Sequence, residues 1–295
     1  MKKSASAVIC ASCAVLCWST VATAFKIALQ HLTQYEMLLI ASITSLLVFS
    51  ILSLLKKERR SAIFSLKPRQ AAYFALIGLI NPAVYYLVLF NAYNLLPAHI
   101  AQPVNYAWPV LLTLLSAIFL KQKIAPLKYL GMAISLSGVV VISISGSDDN
   151  NQFSFAGLFL AALSALIWAV YWILNQKKNH YFDSVTRLMF TFFFGTVYLF
   201  IGTLFVNVHM PDGIGLLSGV YVGLFEMAIP FLLFAAAQKN SHNPSLINQI
   251  CYLSPFISMF LISNFLGENI QIITFGGLTL IVFGLIFNEY LIKKR

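Results

Sequence analysis

Charge is scarce in this chain. Only 9% of its 295 residues are Asp, Glu, Lys or Arg, against about 25% in soluble domains. A soluble globular domain would need the polar surface that is missing here, so that class is excluded. Acids are scarcer still, nine against 19 bases. The resulting net charge of +10 does not make a nucleic-acid binder, because the bases lie in short runs between apolar segments rather than on one solvated face. Cysteine is limited to Cys10, Cys13, Cys17 and Cys251, all in apolar stretches without a histidine partner, which reads as packing rather than a disulfide framework or a metal site. No GxxxxGK[ST] loop occurs, and no polar segment is long enough for an ATPase domain. The histidines His31, His99, His180, His209 and His242 are scattered without partners, so no catalytic dyad is expected.

What is abundant is apolar sequence. Hydrophobic residues make up 60% of the chain and the mean hydropathy is +0.84. Segments near the ~20 residues that cross a bilayer can be read ten times, at 5–29, 34–55, 70–92, 97–120, 127–145, 155–176, 184–207, 213–237, 244–266 and 272–292. Met1-Lys-Lys and Ala22-Thr23-Ala24 imitate a cleavable leader, but the apolar run continues to Leu29, which is span length. The connecting segments alternate in charge. One set carries Lys2, Lys3, Lys56, Lys57, Arg59, Arg60, Lys67, Arg69, Lys121, Lys123, Lys128, Lys177, Lys178, Lys239, Lys293, Lys294 and Arg295; the other holds Glu36, Asp148, Asp149, Asp212 and Glu268, with Lys26 its one nearby base. Bases accumulate on the cytoplasmic side, so both termini are expected there.

The chain also repeats. At a constant spacing of 146 residues, Tyr106 falls on Tyr252, Pro109 on Pro255, Ile124 on Ile270, Gly131 on Gly277 and Gly138 on Gly284. Five spans per half is an odd number, so the second half enters the membrane inverted. The expected architecture is an all-α integral membrane protein of ten transmembrane helices, in two inverted five-helix repeats at 1–146 and 152–295. Such duplications commonly place a substrate site near the midplane between the halves. The glycine pairs seven apart, Gly131 and Gly138, Gly195 and Gly202, Gly277 and Gly284, read as close helix contacts.

Polar groups inside spans mark candidate site residues, since hydrocarbon offers them no partners. Glu226 is the one acid near mid-span, and Pro230 cannot donate to its carbonyl, leaving that acceptor open. An acid there is suited to bind a substrate ammonium when charged and to exchange protons. In the fourth span His99, Gln102, Asn105, Tyr106, Pro109 and Thr113 share a face, and in the ninth Ser245, Asn248, Cys251, Tyr252 and Pro255 do. Asn81-Pro82 interrupts the third span, with Tyr85 on the same face. Trp168, Tyr171, Trp172 and Asn175 form an aromatic stripe in the sixth, which suits stacking or a cation. Trp108 points away from the polar face of a straight fourth helix and ranks low. Pro82, Pro109, Pro230 and Pro255 are candidate kink or gating points, and Lys26 is a basic group at an outer end, either anion-binding, gating or snorkelling. For each polar face the competing reading is helix packing through interhelical hydrogen bonds.

Ser254-Pro255, Phe265-Leu-Gly-Glu-Asn269, Gly276-Gly277 and Gly284, with Trp18-Ser-Thr-Val-Ala-Thr-Ala-Phe-Lys26, resemble the ordered motifs of the drug/metabolite transporter superfamily in its ten-helix EamA-type branch. Asn105-Tyr-Ala-Trp-Pro109 and Leu166-Ile-Trp-Ala-Val-Tyr171 are similar to stretches of bacterial aromatic amino acid exporters in that superfamily. Two departures stand out: Ala41 and Ser42 replace an arginine common in the second helix, and Lys121-Gln-Lys123 stands where many members have Gly-Glu. The resemblance implies a multi-pass protein of the bacterial inner membrane, a secondary transporter working by alternating access, with amino acid export, aromatic in particular, the preferred activity. Export of other metabolites or lipophilic drugs, or nutrient uptake, are the alternatives within that class; a membrane-embedded lipid enzyme is the alternative outside it. No cofactor or metal is expected, proton coupling is open, and the partners are a small-molecule substrate and the lipid bilayer, with the oligomeric state open and a monomer one reading of it.

Overall fold

A computed structural model describes residues 2–119, 121, 124–145, 154–177, 182–242 and 244–293. Among these residues every regular element is helical. The first half comprises α1 (Lys2–Ala28), α2 (Gln34–Leu54), α3 (Lys57–Phe64), α4 (Pro68–Gly78), α5 (Tyr85–Leu95), α6 (Ala98–Asn105), α7 (Trp108–Phe119) and α8 (Pro126–Ser145). The second comprises α9 (Phe155–Lys177), α10 (Ser184–Gly202), α11 (Gly213–Val222), α12 (Ile229–Asn240), α13 (Pro244–Cys251), α14 (Ser254–Leu266) and α15 (Ile272–Lys293). Wide turns over Leu79–Val84 and Gly223–Ala228 join α4 to α5 and α11 to α12.

Eight stretches among the described residues are long and apolar enough to cross a membrane, and Ile272–Asn288 is a shorter apolar helix. The expected span at 97–120 is divided instead. Pro109 offers no N–H to the Asn105 carbonyl, and the chain turns at Tyr106 and Ala107 between α6 and α7. Pro255 has the same effect at Tyr252 and Leu253, between α13 and α14. The basic segment after α2 was expected as a loop and forms the short α3, with Phe64 exposed beside Lys57 and Arg60.

The helix ends follow from local chemistry. Thr33 and Glu36 form a reciprocal capping box on α2. Asp183 accepts from the Thr186 N–H to start α10, and Asp212 accepts from the Gly215 N–H to start α11. Gly267 ends α14 at φ 66°, where glycine alone is unstrained, and Lys121 adopts φ 53° at the position 146 residues earlier.

Small residues decide the closest helix contacts. On α8 and α15, a Cβ at Gly131 would meet the Gly284 carbonyl and one at Gly138 the Gly277 carbonyl, and the converse holds for both. Between them the Ser135 hydroxyl donates to the Ile281 carbonyl at 3.0 Å. Because 131, 135 and 138 correspond to 277, 281 and 284 at the 146-residue spacing, this interface reads the same from either helix. That is how a twofold-related contact behaves. Gly195 of α10 lies against Pro82, Gly202 against Tyr35, and Gly223 against Ala41 and Thr44 of α2. A continuous buried core runs through the centre and includes Phe25, Phe49, Tyr86, Phe90, Phe192 and Met227. Outward-facing Leu16, Leu47, Phe159, Phe200, Leu217 and Phe260 are exposed, as suits a lipid-facing wall.

Candidate functional site

The site is built where helices break. Asn81 leaves helical geometry at φ −142° and ψ 120°, and the break at Pro82 sets Tyr85 and Tyr86 at the start of α5. Glu226 lies within the wide turn Gly223–Ala228. Its backbone carbonyl, deprived of a donor by Pro230, does not stay open as the sequence suggested: the Trp18 indole N–H of α1 donates to it at 3.3 Å. The Glu226 side chain is 9% exposed, and its Oε1 accepts from the Tyr86 hydroxyl at 3.1 Å. That leaves most of the carboxylate's acceptor capacity unused by the protein.

Beside it runs a second polar chain. The Tyr85 hydroxyl donates to Asn105 Oδ1 at 3.4 Å, Asn105 Nδ2 donates to the Ser164 hydroxyl at 2.9 Å, and Ser164 donates to the Ala161 carbonyl. This ties α5, α6 and α9 together at one level. Tyr106, at the α6–α7 turn, lies near Ser254, whose hydroxyl is also met by Ser19 of α1 at 3.4 Å.

Aromatic rings connect these chains. Tyr85 packs on Trp168 with centroids 4.6 Å apart, and Trp168 stacks on Tyr171 at 5.2 Å. Trp168 also meets Trp172 edge-on at 6.2 Å and Phe231 at 6.0 Å. Phe231 in turn meets Trp18. Trp108 stacks on Trp172 at 6.2 Å and an interplanar angle of 14°, so its low ranking is corrected. A wheel drawn through a straight fourth helix misplaces it, because the break before Pro109 resets the direction of α7. All four tryptophans of the chain, Trp18, Trp108, Trp168 and Trp172, therefore belong to one cluster.

Several polar atoms here are buried without a hydrogen bond: both amide atoms of Asn81, Gln102 Oε1 and Trp172 Nε1. Asn81 lies close to the Tyr171 hydroxyl without closing a bond to it. Unpaired buried polar groups carry a cost of about 1–3 kcal/mol each, and around a candidate site they are natural partners for a ligand. The arrangement can surround a small amphiphile with ring faces, meet a cation with one carboxylate, and meet an anionic group with neutral donors.

Not every candidate joins this cluster. Asn248 Oδ1 instead accepts from Gln238 Nε2 at 2.7 Å, between α13 and α12. Tyr252 is buried at the α13–α14 turn, and Asn175 donates to the Tyr171 carbonyl within α9. The side chain of Ser245 and the whole of His180 lie outside the described residues. Tyr86, Ser164 and Phe231 belong to the site and are not marked by the sequence patterns above.

Lys26 belongs to a separate cluster at the base-poor face. Its ammonium donates to the Tyr93 and Leu96 carbonyls at 3.0 and 3.2 Å, at the end of α5. Glu268 accepts from the Ala98 and His99 N–H groups at 2.9 and 3.2 Å and from the His99 ring at 2.6 Å, at the start of α6. Burial alone would raise the Glu268 carboxyl, but the His99 ring and these amides outweigh it and hold the group below its ordinary value. The expectation of unpartnered histidines is overturned on this face. His31 pairs with Asp212 at 2.8 Å and His209 with Glu36 at 3.2 Å, as His99 does with Glu268.

Comparison with known proteins adds to this geometry. The model of the EamA-like transporter family matches residues 5–144 and 155–290. The uncharacterized transporter YdfC of Bacillus subtilis is 25% identical over 90% of this chain and 83% of its own length. The uncharacterized transporter YvbV of the same organism is 26% identical over 70% of this chain and 67% of its own. The aromatic amino acid exporter YddG of Ancylobacter novellus is 28% identical over 60% of this chain and 62% of its own. One solved crystal structure superposes with a TM-score of 0.69 at 21% identity and covers 99% of both chains, a likeness of fold.

Proposed function

The chain belongs to the EamA-like transporter family, within the drug/metabolite transporter superfamily, and is a membrane transporter rather than an enzyme; from that premise we propose that it exports amino acids, aromatic ones in particular, across the bacterial inner membrane. The observation that carries this reading is the buried carboxylate of Glu226 beside the cluster of Tyr85, Trp168, Tyr171, Trp172 and Phe231. In it Glu226 receives the substrate ammonium, the rings take an aromatic side chain, and the unpaired donors of Asn81 and Trp172 meet the carboxylate. Gln102, Asn105, Tyr106, Asn248 and Tyr252 line the path of the two broken helices.

The proposal includes ten spans in two inverted repeats, 1–146 and 152–295, with both termini cytoplasmic. The halves rock about the site, with Pro82, Pro109, Pro230 and Pro255 marking the bends. Glu226 exchanges the ammonium for a proton between strokes, so that transport needs no cofactor and no ATP. The similarity to YddG, an exporter of aromatic amino acids by its name, supports the substrate class.

Intrinsic fluorescence tests this reading, since all four tryptophans lie in the cluster. Titration of the purified protein with phenylalanine should give a saturable change in tryptophan emission, and a non-aromatic amino acid a weaker one. A flat response to every aromatic amino acid would refute the assignment. A response confined to lipophilic amines would move it to drug export, which the same acid and rings could also serve.

A further inference from the structure

A cavity of about 310 Å³ opens beside the Lys26–Glu268 cluster and is lined by Lys26, Ile27, Gln30, Phe265, Leu266 and Glu268. Its volume is at the lower end of the ~300–1,000 Å³ typical of small-molecule pockets. Its wall joins a half-buried cation and a carboxylate to three apolar side chains. The Lys26 ammonium is held by the Tyr93 and Leu96 carbonyls, and among the described residues no carboxylate pairs with it. An ammonium has three N–H donors, and one remains after these two bonds. Glu268 spends three of its roughly four acceptor positions on Ala98 and His99.

We propose that this cavity is a second substrate station at the outer mouth of the transporter, binding the carboxylate of an amphiphilic amino acid on Lys26 and its apolar side chain against Ile27, Phe265 and Leu266. The inference rests on the export reading above and adds a place where the leaving substrate pauses. A carboxylate is a stronger partner for an ammonium than a neutral carbonyl is. Its arrival competes with the Tyr93 and Leu96 carbonyls, whose bonds to Lys26 are the polar part of a tie between α1 and the α5–α6 elbow that also includes the Phe25–Tyr93 ring contact. Occupation therefore loosens that elbow on the face from which product departs. The duplication does not repeat the pair: 146 residues away from Lys26 and Glu268 stand Trp172 and Gln122, both uncharged. The station is thus confined to one side of the membrane.

The test replaces Gln30, an exposed residue of the cavity wall, by cysteine. The rate at which a water-soluble thiol reagent modifies position 30 in the purified full-length protein is then followed by mass spectrometry. Saturating L-phenylalanine or 3-phenylpropionate should slow modification several-fold, whereas phenethylamine, which lacks the carboxylate, should not. Lys26→Met should abolish that protection and Lys26→Arg should keep it. The tryptophan response of the central cluster to phenylalanine is measured on each variant, which controls for folding and tests the export reading separately. A central response with no protection at position 30 overturns the outer station alone. Loss of both overturns the export reading with it. Protection that is equal for all three compounds, or that persists in Lys26→Met, also overturns the station.

Discussion

Replacing Glu226 by Gln removes one charge and almost nothing else. The amide oxygen can still accept from the Tyr86 hydroxyl, now 3.1 Å from Oε1, and the backbone carbonyl still receives the Trp18 N–H. The fold should therefore survive. What is lost is a charge-assisted contact to the substrate ammonium, worth about 1.5–3 kcal/mol. At 1.4 kcal/mol per factor of ten, that predicts affinity for phenylalanine weakened by roughly 12- to 150-fold. Tryptophan emission supplies the assay, with phenylalanine, phenethylamine and 3-phenylpropionate titrated in turn. The two amines should weaken by that factor and the amine-free acid should not. An unchanged amine affinity in a folded Glu226→Gln protein would refute the ammonium role, and equal weakening of all three would mean that the site had collapsed. In vesicles the same variant should lose stimulation by an imposed pH gradient, because Gln has no proton to exchange.

Three further outcomes follow from the packing and the helix ends. Gly138→Ala should destabilise the protein by about 1–3 kcal/mol through overpacking, since the new Cβ meets the Gly277 carbonyl and the Ile281 backbone, whereas Gly276→Ala, with nothing within 4 Å, should not; thermal unfolding in detergent separates them, and equal midpoints would contradict the proposed interface. Lys121→Gly should stabilise by up to about 1 kcal/mol, because φ 53° strains a side chain and suits glycine; a lower midpoint would show that the lysine does more there than occupy a turn. Glu268 is held below the ordinary carboxylate value, so its contribution is full above the unfolded value of about 4.3 and is lost as the pH falls through the lower folded value. Unfolding midpoints measured on the acid side should therefore fall more steeply in the parent than in Glu268→Gln, and parallel curves would deny the carboxylate its role.

Much of this architecture is legible in the sequence because it depends on local rules. Prolines at 109 and 255 break their helices where a missing N–H requires it. Glycines at 131, 138, 277 and 284 permit the tightest crossing. A single mid-span acid, Glu226, becomes the polar centre. The centre's partners were not legible to the same degree. Trp18 reaches the Glu226 carbonyl across 208 positions, and Tyr86 its carboxylate across 140, and nothing periodic marks such pairs. Tyr86 was passed over because the face defined by Asn81 and Tyr85 does not include it, and Trp108 because a straight helix was assumed where Pro109 bends one. The histidine pairs were missed for the same reason. His99 finds Glu268 across 169 positions and His209 finds Glu36 across 173, so only the folded chain assembles them.

The central claim is that this chain carries aromatic amino acids by alternating access, and counterflow tests it most directly. Proteoliposomes containing the purified protein are preloaded with unlabelled phenylalanine and exposed to a trace of labelled phenylalanine outside. The account predicts a transient, saturable accumulation of label that requires the internal substrate and disappears in Glu226→Gln. Label that only equilibrates passively, at the same rate with or without internal phenylalanine, would contradict it.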